Sequence, residues 1–255
     1  MEESGATKQC PNVPSSGNYK QGCIASLHWH GISTFHRATT NKYSHLTRQN
    51  HEEYASHHGY KYYTPQSLFP SVAKRDVRWH KIPTVLSMFE EGCPWVFWTD
   101  SDSLFTNCDV APFERWNASS YDLMVVGDHN WLMNSGQFWI RNTRWARQFL
   151  QEVNDQWSDV VTKKNNCPGT DNAAFLKVLF GKECRHRGGQ TCAKTRAVLQ
   201  SDLRTHVGCD DTTRMNVYAN KWTPNDFRVH VAGAQQSKPK TLDAIAKRAI
   251  HACHC

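Results

Sequence analysis

PWVFWTDSDSLFTN, residues 94–107, is the stretch on which the reading of the fold turns. The run from Pro94 to Trp98 offers no hydrophilic side chain, which suits a strand buried on both faces better than an alternating surface strand. Asp100 and Asp102 end it. In an extended chain, residues two apart project to the same side, so both carboxylates are expected to point into one small volume at the strand's carboxyl end. Two like charges placed there repel, and a divalent cation would resolve the repulsion.

The remaining composition sets bounds around that pair. At 255 residues the chain is long enough for one large domain with an ample core. Residues 1–19, polar with Pro, Gly and Ser, read as a loose tail, and residues 20–255 as the domain. Ten Trp, eleven Phe and eight Tyr serve equally as core filling or as flat platforms for sugars or bases. The formal charge is +7, yet Lys and Arg are scattered without a basic tract, which argues for an anionic small substrate over a nucleic-acid surface.

Ten cysteines are many for a reducing compartment. A lumenal or extracellular setting would let Cys10, Cys23, Cys93, Cys108, Cys167, Cys184, Cys192 and Cys209 pair, with connectivity open. Asn117-Ala118-Ser119 is an N-glycosylation sequon. No run reaches about 18 apolar residues and no signal peptide precedes residue 20. Either an anchor lies outside this chain or the protein is cytosolic.

Strand and helix patterns alternate along the chain. Gly22 to Trp29 reads as a first strand, Thr39 to His58 as a helix stopped by Gly59, and Tyr60 to Tyr63 as a second strand. Ile82, Val85, Leu86 and Phe89 fall at i, i+3, i+4 and i+7, which predicts a helix over roughly 79–91 with Pro83 in its first turn. Strands follow at 95–99, 122–126 and 137–141. Asn142 is the expected cap of a helix running to Trp157, and Asp171 opens a shorter helix, DNAAFLKVLF. Residues 182–196 read as a loop, 227–231 as a last strand and 241–252 as a final helix. This alternation favours a mixed, mainly parallel sheet flanked by helices, which binds ligands at the carboxyl ends of its strands.

Four blocks sharpen the chemistry. They are Trp79-His80-Lys81-Ile82-Pro83; Phe97 to Asn107 with its Asp-Ser-Asp; Met133-Asn134-Ser135-Gly136-Gln137-Phe138-Trp139-Ile140-Arg141-Asn142; and His230-Val231-Ala232-Gly233. Together, over about residues 40–235, they resemble the nucleotide-sugar transferases of GT-A (Rossmann-like α/β) fold. Within these the likeness is to the plant xyloglucan xylosyltransferases and the fungal α-galactosyl- and mannosyltransferases.

The resemblance implies a metal-dependent glycosyltransferase acting on a nucleotide-diphosphate donor, a UDP-sugar above others, with retention of configuration. By it, Asp100 and Asp102 would hold Mn²⁺ or Mg²⁺ on the donor diphosphate, with His230 as a further ligand. Lys81, Ser101, Asn134, Ser135, Gly136 and Gly233 would line the donor and acceptor pocket, and Asp171-Asn172 would lie near the anomeric carbon as catalytic residues. Two positions depart from the family: Asn172 replaces Gln, and Gln235 stands where a phosphate-binding Lys is found, leaving Lys238 or Lys240 to substitute. The implied partners are a nucleotide sugar and a glycan or glycoconjugate acceptor, in the Golgi or secretory lumen, with no nucleic acid and no membrane except through an anchor outside this chain.

Other readings keep parts of this pattern. A lectin-like module with the same fold would bind a sugar or nucleotide without turnover. A nucleotidyltransferase would also use paired aspartates, but no glycine-rich triphosphate loop precedes the first helix. His28, His30, Cys253, His254 and Cys255 match no standard zinc spacing. Trp131, Trp139 and Trp222 are candidates for an acceptor platform or for core packing.

Overall fold

In the computed structural model, strand β3 (Trp95–Thr99) is buried along its whole length, as its apolar run predicts. The residues described are 22–28, 40–127, 132–161, 171–181, 192–210, 217–218, 221–223, 225–230 and 245. Around β3 the chain places β1 (Cys23–Ala25), β2 (Lys61–Tyr63), β5 (Leu123–Val125), β6 (Gln137–Arg141) and β7 (Val207–Cys209) in one six-stranded sheet, ordered β2-β1-β3-β6-β5-β7. Only β6 runs against the others, pairing antiparallel with both β3 and β5, so the sheet is mixed and mainly parallel.

Alternation along β3 explains why it must be apolar on both sides. Val96 and Trp98 enter one core with α2 (Lys81–Glu90), α4 (Arg144–Asp155) and α6 (Asp171–Phe180). Trp95 and Phe97 enter a second, aromatic core with Tyr54 of α1 (Thr40–His58) and with Phe113 and Trp116 of α3 (Pro112–Asn117). Helices thus cover both faces, the arrangement that parallel strands require. Helix α1 ends at Gly59, whose φ of 71° is the left-handed stop expected after a helix.

Several boundaries differ from the sequence reading for local reasons. Helix α4 is capped by Thr143, whose side chain accepts from the Ala146 amide, and not by Asn142. The Asn142 amide instead donates to the Phe89 and Cys93 carbonyls, tying β6 to the end of α2. Trp157 opens a separate short helix, α5 (Trp157–Val161). Part of the expected loop 182–196 is helical: α7 (Cys192–Val198) is held to β7 by the Cys192–Cys209 disulfide. A second disulfide, Cys23–Cys93, joins β1 to the approach of β3. The expected helix 241–252 lies outside the described residues apart from Ile245.

The largest difference concerns the segment after β3. Ser103–Phe105 forms strand β4, which pairs antiparallel with β8 (Arg228–His230) in a separate two-stranded sheet. The last strand therefore does not join the main sheet. Helix α1 satisfies this segment from the other side. Asn50 donates to the Phe105 carbonyl and accepts from its amide, His51 Nε2 meets the Ser103 carbonyl at 2.8 Å, and Tyr54 donates to the Val110 carbonyl.

Candidate active site

Asp100 and Asp102 occupy a turn between β3 and β4, not the extended strand end that a two-residue period implies. The turn is closed by the Ser103 hydroxyl, which donates to the Asp100 carbonyl at 2.6 Å. On a turn the two carboxylates take different partners. Asp100 Oδ1 accepts from Trp98 Nε1 at 2.6 Å and lies 3.3 Å from Lys81 Nζ. Asp102 Oδ1 lies 3.2 Å from His230 Nε2, because the β4–β8 register places His230 opposite Ser103.

Lys81 gathers the other half of the site. It is buried at the first position of α2, and its ammonium donates to the Ser135 carbonyl and to Asp171 Oδ2, each at 2.6 Å. Burial pulls the ammonium down, but Asp100 and Asp171 outweigh it and hold it above the ordinary lysine range. A buried charge needs such partners. The Ser135 hydroxyl also donates to Asp171 Oδ2 at 3.0 Å, and the Ser135 amide donates to Asn172 Oδ1 at 2.7 Å.

The Asn134-Ser135-Gly136 turn is built against the acidic pair. Asn134 Oδ1 accepts from the Gly136 amide at 2.7 Å, and the Gly136 carbonyl accepts from the Asp100 amide at 2.8 Å. A Cβ on residue 136 would come within 2.8 Å of Asp100 Oδ2 and 2.7 Å of Asn134 Oδ1. Glycine is required here by that close approach.

The chain thus brings Lys81, Asp100, Asp102, Asn134, Ser135, Gly136, Asp171, Asn172 and His230 to one place, with Ser101 on the turn between the two aspartates. Gly233, Gln235, Lys238 and Lys240 lie outside the described residues, as do Trp131, His30 and residues 253–255. Trp139 is fully buried in the aromatic core, so it cannot serve as an acceptor platform. Trp222 donates to the Thr106 hydroxyl at 3.0 Å beside β4.

Burial raises the Asp100 carboxyl; Lys81 opposes this, while the charges of Asp102 and Asp171 add to it. His230 is pulled down by burial but lifted further by Asp102, so its net shift is upward. The donor set suits a hard or borderline divalent ion, since it consists of carboxylate oxygens and one imidazole nitrogen. Among the described residues no three such side chains already surround a common point. An ion would therefore have to take over the His230–Asp102 contact.

Sequence reasoning missed two side chains at this site. Trp98 contributes its indole N–H to Asp100, and its ring lies 5.5 Å from Lys81 Nζ. Arg228, fully buried, donates to the hydroxyls of Thr99 and Ser103 on either side of the acidic turn. Burial pulls its guanidinium down to about 9, against the raising charges of Asp100, Tyr54 and Asp102, and it stays protonated at neutral pH. The available signal was an arginine two residues before His230 in the short strand pattern Phe227 to Val231.

Comparison with known proteins finds likeness to glycosyltransferases. Residues 32–116 match the model of the galactosyl transferase GMA12/MNN10 family. Galactomannan galactosyltransferase 1 of Cyamopsis tetragonoloba is 31% identical over 114 residues, 40% of this chain and 25% of that protein. Putative glycosyltransferase 7 of Arabidopsis thaliana is 31% identical over 121 residues, 43% of this chain and 25% of its own length. The chain thus spans about a quarter of these curated relatives. An uncharacterized alpha-1,2-galactosyltransferase of Schizosaccharomyces pombe is 21% identical over 235 residues, 76% of this chain and 56% of the other. Among solved structures, a glycosyltransferase involved in glycosylation of the major capsid of PBCV-1 superimposes with a TM-score of 0.62 at 15% identity, over 88% of this chain and 98% of that one. The chain has the GT-A type of glycosyltransferase fold and, across residues 32–116, resembles the galactosyl transferase GMA12/MNN10 family.

Proposed function

We propose that this chain transfers a sugar from a nucleotide-diphosphate donor, a UDP-sugar, to a carbohydrate or glycoconjugate hydroxyl with retention of configuration. The observation that carries the reading is the convergence of the Asp100–Asp102 turn, the Asn134–Gly136 turn and the start of α6 on the buried Lys81 ammonium. The family resemblance over residues 32–116 supports the same reaction class. Asp100, Asp102 and His230 would hold Mn²⁺ or Mg²⁺, which supplies charge stabilisation on the leaving diphosphate.

In this reading the protein's own groups position and shield. Asn134 and Ser135 supply amide and hydroxyl groups that read sugar hydroxyls, and Gly136 lets the donor approach the backbone. Lys81 fixes the Asp171 carboxylate and, through Ser135, the turn facing it, so the cleft is organised before substrate arrives. Glycosyl transfer passes through an oxocarbenium-like state, which the carboxylates beside the anomeric carbon favour electrostatically. Asp171 is buried and bonded to a lysine, a poor disposition for a nucleophile. Front-face attack by the acceptor hydroxyl, with its proton passing to the leaving phosphate, fits that arrangement.

A second reading, a sugar- or nucleotide-binding protein without turnover, is favoured by one observation: Asn172 Oδ1 is committed to the Ser135 amide. Hydrolysis of a panel of nucleotide sugars in the presence of Mn²⁺ separates the two. Turnover of one donor supports the transferase, and binding without turnover supports the alternative. The disulfides and the exposed Asn117 of the sequon accord with a secretory lumen as the site of action. Among the described residues no helix is long and apolar enough to cross a membrane.

A further inference from the structure

We propose that Arg228 is a positioning residue that clamps both ends of the Asp100–Asp102 turn and so pre-forms the two carboxylates for their ligand, an inference that rests on the donor-site reading above. Its Nη2 donates to the Thr99 hydroxyl, the last residue of β3, and to the Ser103 hydroxyl, the first of β4. Those two residues bracket the turn. The guanidinium carbon lies 5.2 Å from the Phe97 ring and 4.7 Å from the Phe105 ring, which extend the bracket by two residues on each side. Arg228 also faces Phe105 across the β4–β8 register, two residues before His230. One side chain thus ties β3, β4 and β8 together beneath the acidic turn.

The arrangement is costly as mere packing. Nε and Nη1 are buried with no hydrogen-bond partner among the described residues. An apolar side chain of similar length would fill the space between two phenylalanines at no desolvation penalty. The Thr99 and Ser103 hydroxyls meet each other at 2.9 Å, and what Met or Leu could not do is anchor that pair to β8. Asp100 and Asp102 have side chains about a third to a quarter exposed, at 31% and 25%, so the turn is held by hydrogen bonds and ion pairs more than by apolar burial.

The test compares Arg228→Met and Arg228→Lys with the wild-type chain. Amide hydrogen exchange of residues 100–104 is measured without metal, with α4 as internal control, and Mn²⁺ alone is titrated calorimetrically. The clamp predicts exchange faster by about tenfold at 100–104 in Arg228→Met and by less in Arg228→Lys, with α4 unchanged, since a buried charged hydrogen bond is worth about that much. Mn²⁺ affinity should fall about tenfold in Arg228→Met and by less in Arg228→Lys. Removing a nearby cation would by itself strengthen Mn²⁺ binding, so weaker binding reports lost geometry. Exchange equal to wild type, acceleration shared equally by α4, or tighter Mn²⁺ binding in Arg228→Met overturns the clamp. If Arg228→Met does not fold, Arg228→Lys decides: faster exchange at 100–104 with α4 unchanged supports the clamp, and exchange equal to wild type overturns it. Wild-type protein that takes up no Mn²⁺ would refute the donor-site reading, and the exchange pattern alone would then decide the clamp.

Discussion

The ammonium of Lys81 lies 2.6 Å from Asp171 Oδ2 and 3.3 Å from Asp100 Oδ1, so one buried cation joins the start of α6 to the end of β3. Both members of the closer pair are almost wholly removed from solvent. Breaking a buried pair by removing one charge leaves the other unpaired, at a cost of about 3–5 kcal/mol. Lys81→Met should lower the urea-unfolding free energy by about that much and, on the proposed function, reduce donor turnover by about a hundredfold, because the Asn134–Gly136 turn and the start of α6 lose their shared anchor. Wild-type stability in this variant would show that the pair is not buried as described.

Gly136 meets the acidic turn more closely than any side chain could. Gly136→Ala places a methyl group within 2.8 Å of Asp100 Oδ2 and 2.7 Å of Asn134 Oδ1, distances at which something must shift. Turnover and donor affinity should both fall by about tenfold or more, with a melting-temperature drop of a few degrees for a loss of about 1 kcal/mol. Kinetics identical to wild type would contradict the close approach of the two turns.

Acid should destabilise the fold through His51 and His80. Burial holds both rings below the ordinary value of 6.5, and for His51 the charges of His28 and Arg228 add to the effect. The unfolded chain therefore binds more protons than the folded one below that pH. Stability from these rings is fully present above about pH 6.5 and is lost as pH falls further, by up to about 1.4 kcal/mol per pH unit for each histidine. Unfolding free energies measured from pH 8 to pH 5 should show this slope, and His51→Gln should flatten it. A slope unchanged in His51→Gln would remove His51 from the account.

The Cys23–Cys93 disulfide closes a separation of 70 residues between β1 and the approach to β3. Chain-entropy arguments give a crosslink of that span roughly 4 kcal/mol. The double variant Cys23→Ala/Cys93→Ala should lose stability on that scale in thermal or urea unfolding while keeping Mn²⁺ affinity, since neither sulfur touches the acidic turn. Equal stability would indicate that β1 and β3 pair without it.

The sequence carried the central strand, the helices α1, α2 and α6 and the identity of the acidic pair, because each rests on local periodicity or on a side chain at an element's end. Local periodicity did not carry the partners, and His230 was joined to the acidic pair only through the family resemblance. That Asp102 meets His230 depends on a β4–β8 pairing across more than a hundred residues, and strands of three residues leave almost no periodic signal. Helix α7 was hidden because its cysteine and basic residues lack an apolar stripe and a disulfide supplies the tether. Arg228 was visible only as a charged residue in a short strand pattern, and its contacts are ones that only the folded chain assembles. Thr143 and not Asn142 caps the helix because the asparagine's oxygen accepts from Arg147 Nε while its amide is used by two carbonyls elsewhere.

The most direct test of the donor-site account is calorimetric titration of UDP with and without Mn²⁺ into wild-type protein, Asp100→Ala and Asp102→Ala. The account predicts tight UDP binding only with Mn²⁺ in the wild type, and a loss of at least about a hundredfold in either variant, the scale expected when a ligand holding a divalent ion is removed. UDP affinity that is indifferent to Mn²⁺, or unchanged when either aspartate is replaced, would contradict it.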